Sequence, residues 1–511
     1  MMLNITNDYS KANYIEDVEN YTLGQIWDAI LEYVKTNGET ELLKLDNFGE
    51  LYELGLSIKD KDSKKENGVF YTPLDVAHLL ADFFMDLYVS NSCICDVCTG
   101  TGNLILSVLS LLDDVTRQSI FDNKLLYLYE MDALALKITL NKIGYLYGYN
   151  NIENINVINA DFLDRTVVLP SNSYVISNPP YYKITDFSDT WCKTKLMETC
   201  KEYYAVFMEK CIAQSKGCVF ITPFSFVGGS KFKELRLQLN NTESQLFVFD
   251  NVPCNIFKGK KYGISNTNTA NSTRACISVI NTEKKKGCQV TPMMRFATAE
   301  RSKLLDKSTL LNVIANSKYQ LVTEQNPQYY KCQTDKLDMF LKWKENEFIF
   351  YDLLSETPTE FALYMPTTCR YFTTASFRCL NRTGKYTLYF KDKYAQAYAY
   401  ILLNSSFAYW YWRIYDGAIL YPLTLLYTIP INFDSLTLNK KEELLTLAQE
   451  IAEEESKYLV YKKNANQIQE NIKFDMNIRY RFNEKMIEVF NLNKIDFDTV
   501  HSSCFFKVKL D

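Results

Sequence analysis

The chain has 511 residues, 47% of them hydrophobic and 23% charged, which excludes a disordered polymer and implies a globular protein of more than one domain. With His78 and His501 as its only two histidines, it is poorly equipped for imidazole catalysis or a His-rich metal centre. A formal charge of −5 gives no overall attraction to nucleic acid, so any such contact must come from a local basic face.

Apolar residues recur at three- and four-residue steps through residues 1–66, predicting an N-terminal helical segment that ends in the polar stretch KDKDSKKEN (59–67). The amino terminus, MMLNITNDYSK, lacks a secretory pattern, and the 14 cysteines fit thiols in a reducing cytoplasm. Cys95 and Cys98 form a CxxC without a second pair at zinc-ribbon spacing, so no metal is expected. From residue 67 to 288 short apolar runs alternate with helical stretches. The predicted strands are 93–98, 125–132, 155–161, 174–178, 217–223, 245–250 and 274–280. Such alternation implies an α/β domain with a mostly parallel sheet covered on both faces. No clear helix separates the last two strands, so the seventh is expected to be antiparallel. Residues 289–433 are irregular and rich in Tyr, Thr and Phe; residues 434–511 read as helical, over NKKEELLTLAQEIAEEESKYLVYKKNANQIQENI in particular. The uncharged run from Tyr394 to Trp412 contains Gln396, Asn404, Ser405 and Ser406, which marks a buried element with a break and no membrane span.

Four segments carry chemistry. Asp96-Val97-Cys98-Thr99-Gly100-Thr101-Gly102-Asn103 follows the first strand and opens a helix; its glycines permit close backbone approach, and a helix N-terminus favours a carboxylate. The third glycine of the dinucleotide fingerprint is missing, and such a turn is often only a turn. Glu130 ends the second strand, where a carboxylate can accept hydrogen bonds from ribose hydroxyls. It lies further from Asp96 than the usual ~20 residues, which an insertion near 113–123 accommodates; Asp132 competes for the role, and a solvated strand-end acid is the plain alternative. Asp161, followed by Phe162, could accept from an adenine amine or merely cap a loop.

The fourth segment is Asn178-Pro179-Pro180-Tyr181, closing the fourth strand. An exocyclic adenine amine is a poor nucleophile because its lone pair is delocalised into the ring. The Asn178 side-chain carbonyl and the Pro179 backbone carbonyl could hold its two N–H bonds and draw the nitrogen toward a tetrahedral form, which is catalysis by orientation and electrostatics. Tyr181 offers a stacking face, and two prolines stiffen the turn.

In this order the four segments resemble the gamma-class S-adenosylmethionine-dependent DNA adenine-N6 methyltransferases of bacterial restriction–modification systems. Gly68-Val69-Phe70-Tyr71-Thr72-Pro73 matches the family's G-x-[FY]-[FY]-T-P segment upstream of the glycine motif. The resemblance is good from about 68 to 282 and rests on layout alone beyond. It implies a seven-stranded Rossmann-like methyltransferase sheet in residues 67–288, a target-recognition domain in 289–433 and a C-terminal helical segment in 434–511. It also implies S-adenosylmethionine as cofactor. Tyr71, Thr72 and Pro73 would flank its methionine end, with Asp96, Cys98, Gly100, Gly102 and Asn103 around the pocket, Glu130 at the ribose, and Asp161 and Phe162 at the adenine. Asn178, Pro179, Pro180 and Tyr181 would hold a base rotated out of double-stranded DNA. Cys98 departs from the small residue, such as Ala, usual at its position.

Two segments suggest DNA contacts. Residues 256–274 carry Lys258, Lys260, Lys261 and Arg274 with many Asn and Thr; Phe257 is the candidate second stacking ring, Tyr262 the alternate, and a plain mobile loop an equal reading. Between Arg370 and Lys393 lie Arg370, Arg378, Arg382 and Lys385 with interleaved aromatics, fitting a nucleic-acid face or an ordinary basic surface. Methylation of RNA adenine, methylation of a protein glutamine amide, and a modification subunit acting mainly as a scaffold remain alternatives. No fused nuclease is evident, so restriction would fall to a separate endonuclease. The sequence implies no oligomeric state.

Overall fold

The computed structural model describes residues 22, 24, 25, 28, 52, 72–148, 152–257, 261–262, 265–266, 273–369, 372–464 and 467–492. Apart from those five positions before residue 66, the expected N-terminal helical segment lies outside them, as do Tyr71, Lys260, Arg370 and the side chain of Lys261. The chain divides into two compact units, residues 1–329 with 507–511, and residues 330–506.

The first unit is built on one sheet. Its strands are β1 (Cys93–Val97), β2 (Leu126–Tyr129), β3 (Asn156–Ile158), β4 (Ser173–Ser177), β5 (Gly217–Pro223), β6 (Glu243–Phe249), β7 (Ala275–Asn281) and β8 (Gly287–Val290). They are ordered β8-β6-β7-β5-β4-β1-β2-β3. β1, β4 and β5 are buried almost throughout, as strands covered on two faces must be, which explains their continuous apolar runs. β7 is antiparallel to β5 and β6, as the missing helix before it predicts. The eighth strand was not expected: Gly287–Val290 is only four residues, follows the lysines at 284–286, and pairs in parallel with β6 at the sheet edge. The fold is thus the Rossmann-like α/β sheet anticipated, extended by one strand. Residues 289–329 belong to this unit, so the structural division falls well beyond residue 288.

Helices complete the crossovers. α1 (Leu74–Leu87) starts at Pro73, whose carbonyl accepts from Ala77 N, and buries seven side chains including Phe83 and Phe84. α2 (Asn103–Ser110) follows β1 through Gly102, whose φ of 85° is open to glycine at little cost. α3 (Asp114–Asp122) is the insertion before β2. α4 (Ala133–Tyr147) is capped by the Asp132 carboxylate, which accepts from Leu134 N and Ala135 N. The order reverses between β1 and β4, with β2 and β3 on one side and β5 on the other. That switch point opens a crevice at the strands' carboxyl ends.

The second unit has an aromatic core. Trp343 and Trp410 stack at 5.9 Å, and Phe340 meets Trp410 edge-on at 5.2 Å. The uncharged run forms two buried helices, Lys393–Asn404 and Ser406–Tyr415, broken at Ser405, whose hydroxyl caps the second. A long helix, Leu438–Glu454, follows; the helical expectation then fails over Leu459–Ile472 and holds again at Met476–Val489. Leu459–Asn464 and Gln467–Ile472 form an antiparallel hairpin. Val460 and Tyr461 favour strand where charge spacing suggested helix. Among the described residues, no helix is long and apolar enough to cross a membrane.

Candidate active site

A cavity of about 420 Å³ opens at the switch point, lined by residues that follow β1, β2, β3 and β4. Cys98 and Gly100 come from the first loop, Glu130 from the second, Asp161 and Phe162 from the third, and Asn178, Pro179 and Pro180 from the fourth. Thr72 and Asn103 close one wall. Residues up to 135 positions apart in sequence, Thr72 and Phe207, therefore share one pocket of the size that small ligands occupy.

The glycine loop is held by its neighbours. Glu130 Oε2 accepts from Gly100 N at 2.8 Å, and Oε1 accepts from Asp132 N at 3.0 Å. Thr139 Oγ1 donates to Gly100 O at 2.9 Å, and Lys142 Nζ to Thr101 O at 2.8 Å. Cys98 itself sits at φ 68°, a left-handed conformation uncommon for a side-chain-bearing residue. At Gly102 a Cβ would come within 2.7 Å of Thr139 Cγ2, so this glycine serves packing of the loop on α4 more than approach to a ligand.

Glu130, Asp132 and Asp161 make the cavity lining acidic, whereas Asp96, expected around the pocket, is not among the lining residues. Asp96 is completely buried, and neither carboxylate oxygen makes a well-formed hydrogen bond among the described residues. Burial, and secondarily Glu130, hold its pKa well above the ordinary value of 3.8, with only the Ile105 N–H acting the other way. Burial likewise raises Glu130, while the Asp132 and Gly100 amides pull it back. Asp132 serves as the α4 cap and accepts a hydrogen bond from Tyr52. Asp161 accepts from Leu163 N at 2.9 Å and from Trp191 Nε1 at 2.7 Å, leaving lone pairs on each oxygen. Phe162 is buried edge-on to Tyr129 at 5.5 Å.

At the Asn178 turn, the side-chain Nδ2 donates to Thr72 Oγ1 at 3.0 Å. The Tyr181 hydroxyl donates to Asn178 Oδ1 at 2.5 Å and faces Ile221 O at 2.9 Å. Phe257 meets Tyr181 edge-on at 5.8 Å, so the two rings are in contact with no base-sized gap between them. Phe257 is buried and its segment is pinned: Arg301 donates to Asn255 O and Ile256 O and pairs with Asp75. Behind it, Asp250 pairs with Arg274 at 2.9 Å and Arg295 at 2.8 Å, all three buried.

Sequence reasoning passed over Tyr182, Tyr203 and Phe207, which also line the cavity. Tyr182 and Tyr203 pack at 4.0 Å and 34°. The signal was available: Tyr182 directly follows the turn, and Tyr203 and Phe207 stand at i, i+4 on the helix Tyr203–Gln214. Trp191, which fixes Asp161, had none, because it comes from a loop.

The basic residues of the second unit are engaged locally. Arg378 pairs with Glu470 at 3.3 Å. Arg382 donates to Gly384 O, Asn471 Oδ1 and Thr368 Oγ1, and Lys385 Nζ to Leu380 O at 2.9 Å. Among their aromatic neighbours, Phe377 packs against Tyr400 at 4.7 Å, and Phe372 lies under the Arg479 guanidinium at 3.6 Å.

Residues 43–265 match the N-6 DNA methylase family model. A 152-residue stretch is 28% identical to the Type I restriction enzyme MpnII methylase subunit of Mycoplasma pneumoniae, covering 28% of this chain and 27% of that one. Among solved structures, the LlaBIII ATP-dependent Type ISP restriction-modification enzyme bound to DNA aligns with 12% identity and a TM-score of 0.45, over 85% of this chain and 44% of its own. The DrdV–DNA complex aligns with 14% identity and a TM-score of 0.44, over 68% and 39%. The chain thus spans well under half the length of these relatives. The glycine loop, the strand-end acids and the Asn-Pro-Pro turn that meet in one crevice all fall within residues 43–265, the stretch that is similar to the N-6 DNA methylase family.

Proposed function

We propose that this chain transfers a methyl group from S-adenosylmethionine to N6 of adenine in double-stranded DNA, within a restriction–modification system. The observation that carries the reading is the shared cavity: the Asn178-Pro179-Pro180 turn forms one wall of the pocket whose other walls hold Gly100, Glu130 and Asp161.

The residues fit the cofactor. Glu130, Asp132 and Asp161 line the cavity and make it acidic, which suits a ligand bearing an ammonium and a sulfonium, and Asp96, close enough to Glu130 to feel its charge, is a buried carboxyl without a well-formed hydrogen bond among the described residues. Glu130 would take the ribose hydroxyls and Asp161 the adenine amine, with Thr72, Cys98, Gly100 and Asn103 around the methionine end. When bound, the cofactor supplies the electrophilic methyl group.

The protein's share is orientation. Asn178 Oδ1 and Pro179 O accept the two N–H bonds of the target amine, pyramidalise the nitrogen and free its lone pair. Rotating the base from the duplex costs a few kcal/mol, offset by contacts in the pocket. Tyr181 would stack on the base, and Phe257 would have to leave its edge-on contact to form a second face. Lys260, Lys261, Arg370, Arg378, Arg382 and Lys385 would meet phosphates, and residues 289–433 would read the target. Four of these, Arg370, Arg378, Arg382 and Lys385, cluster in one stretch of sequence. Methyl-labelled cofactor offered with DNA, RNA and protein tests the substrate class: label on DNA is expected, and label confined to RNA or protein overturns it.

The likeness to a Type I methylase subunit supports a second reading, in which this chain is the methylating subunit of a larger assembly. Activity that appears only when further chains are added would distinguish it.

A further inference from the structure

Thr72 is 5% exposed and faces two elements at once. Its backbone oxygen accepts from Asn103 Nδ2 at 3.0 Å, and its Oγ1 accepts from Asn178 Nδ2 at 3.0 Å. Asn103 Oδ1 in turn accepts from Lys142 Nζ at 3.3 Å, and Asn178 Oδ1 from the Tyr181 hydroxyl, which also reaches Ile221 O on β5. One hydrogen-bonded chain therefore runs from α4 through the start of α2 and Thr72 to the Asn178 turn and the sheet.

A primary amide has nearly the same shape either way round, but only one orientation can accept from an amine. Asn178 Nδ2 faces Thr72 Oγ1, and its Oδ1 faces the Tyr181 hydroxyl. We propose that Thr72 is a positioning residue: its hydroxyl holds the Asn178 amide with the nitrogen turned away and the carbonyl presented to the acceptor amine, and its backbone ties that orientation to the glycine loop. This rests on the function proposed above and adds to any contact Thr72 makes with the cofactor.

The test is Thr72→Val, which keeps the shape and removes the acceptor, with Thr72→Ser as the conservative control. For DNA methylation, Thr72→Val is expected to lower kcat about tenfold or more, beyond any loss in S-adenosylhomocysteine affinity, and Thr72→Ser to recover to within about threefold. A kcat within about twofold of wild type, or a loss seen only as weaker S-adenosylhomocysteine binding, overturns the proposal. A second readout needs no DNA. The Asn178 side-chain amide resonance of nitrogen-15-labelled protein, assigned by its absence in Asn178→Asp, is expected to shift in Thr72→Val and to stay near its wild-type position in Thr72→Ser. An unmoved resonance in Thr72→Val overturns the proposal even if the wild type methylates something other than DNA, which keeps this failure distinct from failure of the functional reading.

Discussion

Gly102→Ala isolates what the second glycine of the loop does. Its φ of 85° costs an L-residue about 1–2 kcal/mol. The new Cβ would also lie 2.7 Å from Thr139 Cγ2 and 2.9 Å from Thr139 Oγ1. Thr139 is fully buried and cannot step aside without losing its bond to Gly100 O, so overpacking should add about 1–3 kcal/mol. The expected loss is about 2–5 kcal/mol in urea unfolding of the first unit, with S-adenosylhomocysteine binding at least about tenfold weaker by calorimetry. Adding Thr139→Ala removes both clashing atoms and leaves the backbone strain. The double variant should therefore be less destabilised than the sum of the singles by about 1–3 kcal/mol. Strict additivity, or a Gly102→Ala protein as stable as wild type, would refute the packing argument.

Further expectations follow from other parts of the site. Asn178→Ala should lower kcat by about 10²–10³ with S-adenosylhomocysteine affinity retained, as for loss of a preorganised transition-state contact; stopped turnover assays and calorimetry check the split. Asp96 has its pKa raised by burial, so the folded state binds its proton more tightly than the unfolded chain, and its contribution to stability is lost as pH rises above about 3.8 through the raised value. The cofactor-free Asp96→Asn variant should therefore gain stability relative to wild type as pH rises from 4 toward neutrality, while losing cofactor affinity; about equal differences at every pH in thermal melts would contradict this. Asp250→Ala leaves Arg274 and Arg295 buried without their shared carboxylate and should destabilise by about 3–5 kcal/mol in urea unfolding. Trp191→Phe keeps a ring but removes the donor to Asp161 Oδ2, and should weaken S-adenosylhomocysteine binding while leaving Glu130-dependent contacts intact.

Much of the first unit was legible in the sequence because a parallel sheet buried on both faces writes itself as short apolar runs separated by helical spacing. Gly217–Pro223 was read with its observed ends. The residues closing those strands were legible for the same reason, since loops at a switch point must converge: Gly100, Glu130, Asp161 and Asn178 line one cavity. What was hidden depended on side chains meeting from loops and helices. Trp191 reaches Asp161 across 30 positions with no local pattern to announce it. Composition misled at the C-terminal hairpin. The hairpin at Leu459–Ile472 follows a genuine helix, so its charges looked like more of the same. The basic stretch around Arg378 and Arg382 is tied to that hairpin by Glu470 and Asn471, a use of arginine that composition cannot separate from phosphate binding.

Nucleoside analysis of DNA incubated with S-adenosylmethionine and the full chain tests the central claim most directly. N6-methyldeoxyadenosine should accumulate with the wild-type protein and vanish with Asn178→Ala. Methylation at a cytosine position, or equal N6-methyldeoxyadenosine from the two proteins, would contradict the account.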